Sequence, residues 1–201
     1  MVTMVGRPSN REERRRDIVE AALVVMAKVG YDGASVQAIA KQAGLSAGLL
    51  HHHFESKAEV LEALLLELEA RVRQRAEALS RLERGAWGRL EAWVDAHLAT
   101  GDDADPNAVG AWVWIGAEAL KGGNVRGLFE VAMRRRKDEL TALLKAAAAD
   151  RDVPIDAAAM ATTVLATVEG FYRLAASSDV VEPGTAAGSV HRMLKRLIPR
   201  A

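Results

Sequence analysis

Three consecutive histidines, His51 to His53, are the side chains of this sequence that most readily suggest metal chemistry. Successive residues of a helix point about 100° apart, so these three imidazoles cannot converge on one ion. The sequence has no cysteine, and it lacks the His-Glu-x-x-His, Gly-x-Ser-x-Gly and phosphate-binding glycine-loop motifs of common enzymes. We therefore expect no metal site, no cofactor and no enzymatic activity.

The stretch from Ser35 to Lys57 has instead the pattern of two short helices joined by a tight turn. Ser35 and Ser46 can cap the two helices, and Gly44 permits the positive φ that a sharp turn requires. Leu45 can fill the space between the helices. This layout is typical of the helix-turn-helix, whose second helix enters the major groove of DNA. The chemistry expected here is contact with phosphates and base edges.

The same stretch resembles the DNA-binding domain of the TetR family of bacterial regulators, whose pattern is T-x-x-x-I-A-x-x-A-G-[VL]-S-x-G-x-L-Y-x-H-F-x-x-K-x-x-L. Ser35 stands where the family has threonine and keeps the capping hydroxyl. His51 stands where the family has tyrosine and is shorter. The matching residues are Ile39, Ala40, Ala43, Gly44, Leu45, Ser46, Gly48, Leu50, His53, Phe54, Lys57 and Val60-Leu61.

The resemblance implies a dimeric, ligand-responsive transcriptional regulator, most simply a repressor, that binds a palindromic operator in double-stranded DNA. A small-molecule effector would be its second partner. In the family, the last two helices of each subunit form the dimer interface, although their apolar stripes also suit packing within one chain. The residues that the resemblance assigns to DNA contact are Arg7, Ser35, Gln37, Ser46, Ala47, Gly48, Leu49, His51, His52 and Lys57.

Those roles differ along the motif. Arg7 would reach the minor groove, and Lys57 would pair with a phosphate at the N-terminus of the fourth helix. Ala47 to Leu49 would face the floor of the major groove, where small residues allow close approach. His53 is expected to pack inside the protein.

Helical periodicity dominates the chain, and no segment shows the alternation of a strand. Caps, glycines and prolines divide the chain into nine predicted helices, so we expect an all-α fold. A three-helix DNA-binding domain over 1–71 would precede a regulatory and dimerisation domain over 72–201, because the leucine stripe of the fourth helix gives way to charge near Arg71. The predicted helices are 10–30, 36–43, 46–53, 56–81, 87–99, 106–121, 124–150, 154–176 and 185–197.

The charges balance, with 27 Lys and Arg against 27 Asp and Glu, but five arginines crowd between Arg7 and Arg16. A local basic patch of this kind suits DNA, and a solvated or packed helix face is the alternative for Arg14 to Arg16. The later run from Arg134 to Lys137 is predicted to be a solvated face. No apolar run reaches the roughly 20 residues that span a bilayer, and the N-terminus lacks a signal-peptide core, so a cytoplasmic protein is expected.

All four tryptophans lie between Trp87 and Trp114, where they can fill the core or line a ligand pocket. Trp112 and Trp114 are two residues apart, so both cannot face one cavity. The region 112–144 is also similar to the C-terminal domain of the family's betaine-inhibitor-like branch, which adds a quaternary ammonium ligand to the alternatives. The predicted pocket residues are Trp93, Trp112, Phe129, Met133 and Phe171, with Glu118 or Asp95 as the polar anchor.

A second functional hypothesis is a helical ligand-binding or adaptor protein that no longer binds DNA. The zero net charge and the non-polar Ala47-Gly48-Leu49 sequence favour it. The salt dependence of DNA binding separates it from the regulator.

Overall fold

The computed structural model describes residues 10–83, 85–98 and 105–200, and every regular element in these ranges is an α-helix. The prediction of an all-α chain of about nine helices is confirmed. Arg7 lies outside the described residues. The helices are α1 (Asn10–Gly33), α2 (Val36–Gln42), α3 (Ala47–His51), α4 (Lys57–Ser80), α5 (Ala86–His97), α6 (Pro106–Ala119), α7 (Gly123–Ala149), α8 (Ala157–Ser177) and α9 (Ala186–Leu197).

Side-chain caps fix most of these boundaries. Ser35, Ser46 and Ser56 each accept a hydrogen bond from the amide three residues ahead, at 3.1 to 3.2 Å, and the sequence predicts the caps at Ser35 and Ser46. The start of α8 differs from the prediction, because Asp156 rather than the region of Pro154 provides the cap. Its carboxylate accepts the Ala159 amide at 3.0 Å, and the helix therefore begins at Ala157.

The helix-turn-helix part, α1 to α3, and the part formed by α5 to α9 share one continuous apolar core, to which α4 also contributes. α1, α2 and α3 enclose fully buried side chains such as Ile18 and Leu50, and the leucine stripe of α4 closes this cluster from below. The same helix α4 also packs against α5, α6 and α7. α8 packs on α6 and α7, and α9 packs on α5 and α8. No described helix is long and apolar enough to cross a bilayer.

The most extensive contact between the two parts joins α1 to α6, at a break in α1. Gly30 has φ 69° and ψ −179°, so the regular helix stops there and one further turn continues to Gly33. The sequence predicts a first helix that ends at residue 30, and not this extra turn. The indole of Trp114 from α6 lies over Gly30, at about 3.1 Å from the position that a Cβ would take. Glycine is therefore favoured at this position by the positive φ and by the tight contact that a Cβ would make with Trp114.

Replacing Gly30 by alanine is expected to lower the free energy of unfolding by about 1–3 kcal/mol, because a Cβ disfavours this φ and collides with Trp114. Urea-induced unfolding measures the change. Gly127→Ala is the matched control, since Gly127 lies within α7 and no heavy atom of the described residues is within 4 Å of its would-be Cβ. That control should be neutral or stabilising by up to about 1 kcal/mol. Equal effects of the two substitutions would contradict the role given to Gly30.

Candidate DNA-binding surface and ligand cavity

The turn between α2 and α3 sets the direction of α3. Gly44 has φ 68°, the Leu45 amide donates to the Ala40 carbonyl at 2.9 Å, and the Gly44 amide donates to the Lys41 carbonyl at 3.2 Å. These two bonds form a Schellman C-cap, which satisfies the last carbonyls of α2 and reverses the chain sharply. α3 then begins after Ser46, as a helix-turn-helix requires.

α3 lies on the exterior of the protein. Leu50 and Phe54 are fully buried beneath it and attach it to the core, whereas Leu49 is 41% exposed. No heavy atom of the described residues lies within 4 Å of a would-be Cβ on Gly48, so the outer face is open. The predicted DNA-contact residues of the helix-turn-helix are accessible: Ala47 and Lys57 are half-buried, and the exposed ones are Ser35, Gln37, Ser46, Gly48, Leu49, His51 and His52.

Lys57 has a contact that sequence reasoning missed. Its ammonium donates to the carbonyl oxygen of Tyr31 at 2.6 Å and lies 4.1 Å from the centre of the Tyr31 ring. Lys57 therefore joins the first turn of α4 to the end of α1 in this structure. Its contact with a DNA phosphate stays a prediction.

The arginine run of α1 is divided between packing and solvent. The guanidinium of Arg15 lies 3.9 Å from the centre of the Phe54 ring, pairs with Glu59 at 3.1 Å and donates to the carbonyl oxygen of His53. The Glu55 amide, which donates to Glu59 at 2.7 Å, holds the pKa of that carboxyl below its ordinary value. Arg15 thus fastens α1 to the junction of α3 and α4. Arg14 and Arg16 remain exposed.

A cavity of about 570 Å³ lies between α4, α5, α6, α7 and α8 and is bordered by the segment leading to α9. A volume of this size holds a small organic ligand. Its apolar wall includes Leu68, Val72, Leu98, Val109, Trp112 and Phe171. Its polar wall includes Arg71, Arg75, His97, Arg136 and Tyr172, with Asp105, Asp179 and Glu182 among the remaining lining residues.

Of the predicted pocket residues, the structure places Trp112 and Phe171 on the cavity wall. Trp93 is instead fully buried and stacks on His97 at 3.7 Å between ring centres. Phe129 packs behind Trp112, with 5.3 Å between the ring centres. Met133 is half-buried against the core and does not line the cavity.

The two predicted polar anchors also lie away from the cavity wall. Glu118 pairs with Lys121 at 2.8 Å near the end of α6, and Asp95 lies 3.2 Å from His191 on α9. Trp114 faces Gly30 of α1, so the two neighbouring tryptophans of α6 do serve different sides of the helix, as their spacing predicts.

A buried ion-pair network closes one side of the cavity. Arg136 is only 2% exposed and binds Glu69 of α4 at 2.5 and 2.8 Å, and it also binds Glu169 of α8 at 3.2 Å. Arg135 binds the other oxygen of Glu69 at 2.8 Å. The prediction that the run from Arg134 to Lys137 is a solvated face is therefore wrong for Arg136. A signal existed, because Arg136 falls four residues from Ala132 and from Leu140 on the buried stripe of α7.

Trp112 is tied into the same network. Its indole nitrogen donates to Glu169 at 2.9 Å, and the guanidinium of Arg136 lies 4.1 Å from its ring centre. Burial raises the pKa of Glu169, against the lowering influence of Arg136 and of the indole hydrogen bond. One face of the Trp112 ring is thus already occupied by a cation of the protein itself.

His97 and Tyr172 form the neutral part of the polar wall. Nδ1 of His97 lies 2.8 Å from the Trp93 carbonyl oxygen, and the Tyr172 hydroxyl donates to the His97 carbonyl oxygen at 2.5 Å. Burial raises the pKa of Tyr172 to about 12. Burial, followed by the charge of Arg136, holds the pKa of His97 well below its ordinary value. Both side chains are uncharged at neutral pH.

The low pKa of His97 predicts that the fold loses stability in mild acid. Below pH about 6.5 the imidazole of the unfolded chain takes up a proton that the folded chain refuses, so the free energy of unfolding falls by up to about 1.4 kcal/mol per pH unit. Urea unfolding between pH 7.5 and 5.5 measures this slope, which His97→Gln should flatten. His52→Gln, at an exposed site, should leave it unchanged. An equally steep slope in His97→Gln would contradict the prediction.

Known proteins match both parts of the chain. Residues 18–64 match the family described as bacterial regulatory proteins, tetR family, and residues 86–199 match the C-terminal domain of the BetI-type transcriptional repressors. The HTH-type transcriptional regulator BetI of Agrobacterium fabrum is 31% identical over 159 residues, which cover 79% of this chain and 75% of that protein.

Solved structures show the same fold. A transcriptional regulator from Saccharomonospora viridis, in complex with choline, superposes with a TM-score of 0.77 at 24% identity and covers 93% of this chain and 96% of its own. AibR, in complex with isovaleryl coenzyme A and operator DNA, superposes with a TM-score of 0.73 at 20% identity and covers 94% of this chain and 100% of its own.

An exposed helix after a tight turn, joined to a helical body with a ligand-sized cavity, defines a ligand-responsive DNA-binding transcriptional regulator. The chain belongs to the TetR family, with a C-terminal domain of the BetI type. This class of protein is a regulator and not an enzyme, as the sequence predicts.

Proposed function

We propose that the chain is a homodimeric repressor that binds a palindromic operator through α3 and releases it when a small molecule fills the cavity. The observation that carries this proposal is the position of the cavity. Its walls include α4 and α6, the two helices that also pack against α1 of the helix-turn-helix. A ligand that binds one arrangement of α4 and α6 more tightly than another would therefore move the DNA-binding part.

Residues 1–71 would form the DNA-binding unit of each subunit, and residues 72–201 the regulatory and dimerisation unit. The contacts with DNA would come from residues on and around α3, with Ala47 to Leu49 over the base edges and His51 and His52 beside them. Arg7 would reach the minor groove from the segment before α1.

The outer face of α8 supports the dimer. It presents small exposed residues at helical spacing, Ala159, Thr163 and Ala166, which allow a second helix to approach closely. Leu174 of α8 and Leu197 of α9 are also exposed, so these two helices offer apolar surface that a partner subunit would cover. Two α3 helices in such a dimer would address half-sites about one DNA turn apart.

The test is fluorescence anisotropy with DNA that flanks the gene of this chain, at 50 and 200 mM salt. A dimeric regulator should form a complex that prefers this DNA to an unrelated fragment and weakens steeply with salt. A ligand in the cavity should then dissociate the complex. Failure to form any salt-sensitive, sequence-preferring complex would overturn the proposal in favour of a ligand-binding protein without DNA binding.

A further inference from the structure

Three arginines line the cavity, and they differ in how many carboxylates they pair with. Arg136 binds Glu69 and Glu169, and Arg71 binds Glu67 at 2.9 Å as well as Glu20. Arg75 has no carboxylate within ion-pair distance in the part of the chain that the structure describes. Within the described ranges its guanidinium donates one hydrogen bond, of 3.0 Å, to the carbonyl oxygen of Ala96. Since a guanidinium carries five N–H donors, Arg75 retains donors for a ligand.

The surroundings of Arg75 leave this charge uncompensated. Its charge acts on His97 and Tyr172, where burial has the larger effect on the pKa, and neither of these side chains carries a charge at neutral pH. The half-buried Arg75 thus belongs to the inner, polar wall of the cavity. An anion placed there would gain a charge-assisted hydrogen bond in a partly desolvated site.

None of the three carboxylates that border the cavity forms an ion pair with Arg75 in the part of the chain that the structure describes. Asp105 is occupied as the cap of α6, where it accepts the amides of Asn107 and Ala108 at 3.0 and 3.1 Å. Asp179 and Glu182 are exposed in the connection from α8 to α9, where water screens them. Among the described residues, Arg75 is therefore the cavity arginine that no carboxylate pairs with.

The aromatic residues of the cavity offer a quaternary ammonium group little free ring surface. Such a cation needs open ring faces, preferably several around it. Arg136 occupies the face of Trp112 at 4.1 Å, and Tyr172 is buried with its hydroxyl bound to His97. Phe171 is the remaining aromatic residue among the lining side chains. A quaternary ammonium group would also lie in a cavity with three guanidinium groups, of which Arg75 has no carboxylate partner among the described residues.

We propose that the cavity takes an amphipathic ligand with a carboxylate or a similar anionic head group, which Arg75 binds, and an apolar tail, which packs against α4, α6 and Phe171. The regulatory role of such a ligand rests on the proposed function. Its binding to the cavity does not depend on DNA binding. The remainder of the lining is largely aliphatic, with Leu68, Val72, Leu98 and Val109 available to the tail.

Isothermal titration calorimetry of the full-length protein, without DNA, measures the affinity for three probes that share one tail and differ in the head group. The probes are octanoate, 1-octanol and octyltrimethylammonium. Octanoate should bind at least about tenfold more tightly than either of the other two, the amount that one charge-assisted hydrogen bond provides. In Arg75→Gln this preference should disappear. Arg75→Lys, which keeps the charge, should retain a preference for octanoate.

Arg73→Gln is the matched control, because Arg73 lies on α4, is exposed and does not line the cavity. It should bind octanoate as the unaltered protein does. Tighter binding of octyltrimethylammonium than of octanoate, or no measurable binding of octanoate, overturns the inference. So does an equal loss in Arg73→Gln and Arg75→Gln. These titrations contain no DNA, so their outcome is independent of whether the chain binds an operator.

Discussion

Replacing Glu69 by alanine is expected to lower the free energy of unfolding by about 3–5 kcal/mol. Glu69 is 6% exposed and binds both Arg135 and Arg136, and Arg136 is buried between α4, α7 and α8. Without Glu69 the buried guanidinium keeps only Glu169, at 3.2 Å, and one buried charge has lost most of its hydrogen bonds. Urea-induced unfolding monitored by circular dichroism measures the loss.

Glu67→Ala is the matched control for Glu69→Ala. Glu67 lies two residues earlier on the same helix and pairs with Arg71 at 2.9 Å, but both side chains are partly exposed. Its removal should cost no more than about 1 kcal/mol, as for other solvent-exposed ion pairs. A similar loss of unfolding free energy in the two variants would show that the buried network stabilises the fold no more than an exposed ion pair does. Because α4 also supports the helix-turn-helix, Glu69→Ala should weaken operator binding in parallel with stability.

Replacing Gly48 by glutamate is expected to lower operator affinity on the order of 100-fold while leaving the fold intact. Gly48 lies on the exposed face of α3, and the described residues leave open space where its side chain would project. A carboxylate at this place would meet the negative charge of DNA and keep α3 out of the groove. Fluorescence anisotropy with the flanking DNA measures affinity, and thermal unfolding checks the fold.

Gly127→Glu separates this local effect from a change in net charge. Gly127 is also an exposed helical glycine with open space around it, but it lies on α7, away from α3. Both variants add one negative charge and replace a glycine inside a helix. Operator affinity should change less than about threefold in Gly127→Glu. If Gly48→Glu bound DNA as tightly as Gly127→Glu, α3 would not be the recognition helix.

The helix-turn-helix could be predicted from the sequence because local chemistry determines it. Ser35, Ser46 and Ser56 cap helices through amides three residues away, and Gly44 adopts its positive φ within a single turn. Each of these interactions spans only a few positions in the chain. For that reason the predicted boundaries of α2, α3 and α4 agree with the structure to within one or two residues.

The cavity could be predicted only in part, because contacts between distant helices determine it. Trp112 and Phe171 were identified as aromatic residues of the right kind, but Trp93 and Phe129 are of the same kind and pack elsewhere. Which face of α5 or α7 points into the cavity depends on how these helices rotate against α4. Arg75 and Arg136 lie in charged stretches that resemble solvated surface, and only their partners in space distinguish them.

The contact between Gly30 and Trp114 affects the design of biosensors in which the DNA-binding part of this protein is fused to the ligand-binding part of another regulator. Their contact joins two segments that a designer would treat as separate modules, because one belongs to the part that reads DNA and the other to the part that holds the ligand. A chimera that exchanges everything after residue 71 would place a foreign α6 against the broken end of α1. It should transmit a signal only if the donor also brings a flat ring to the position of Trp114.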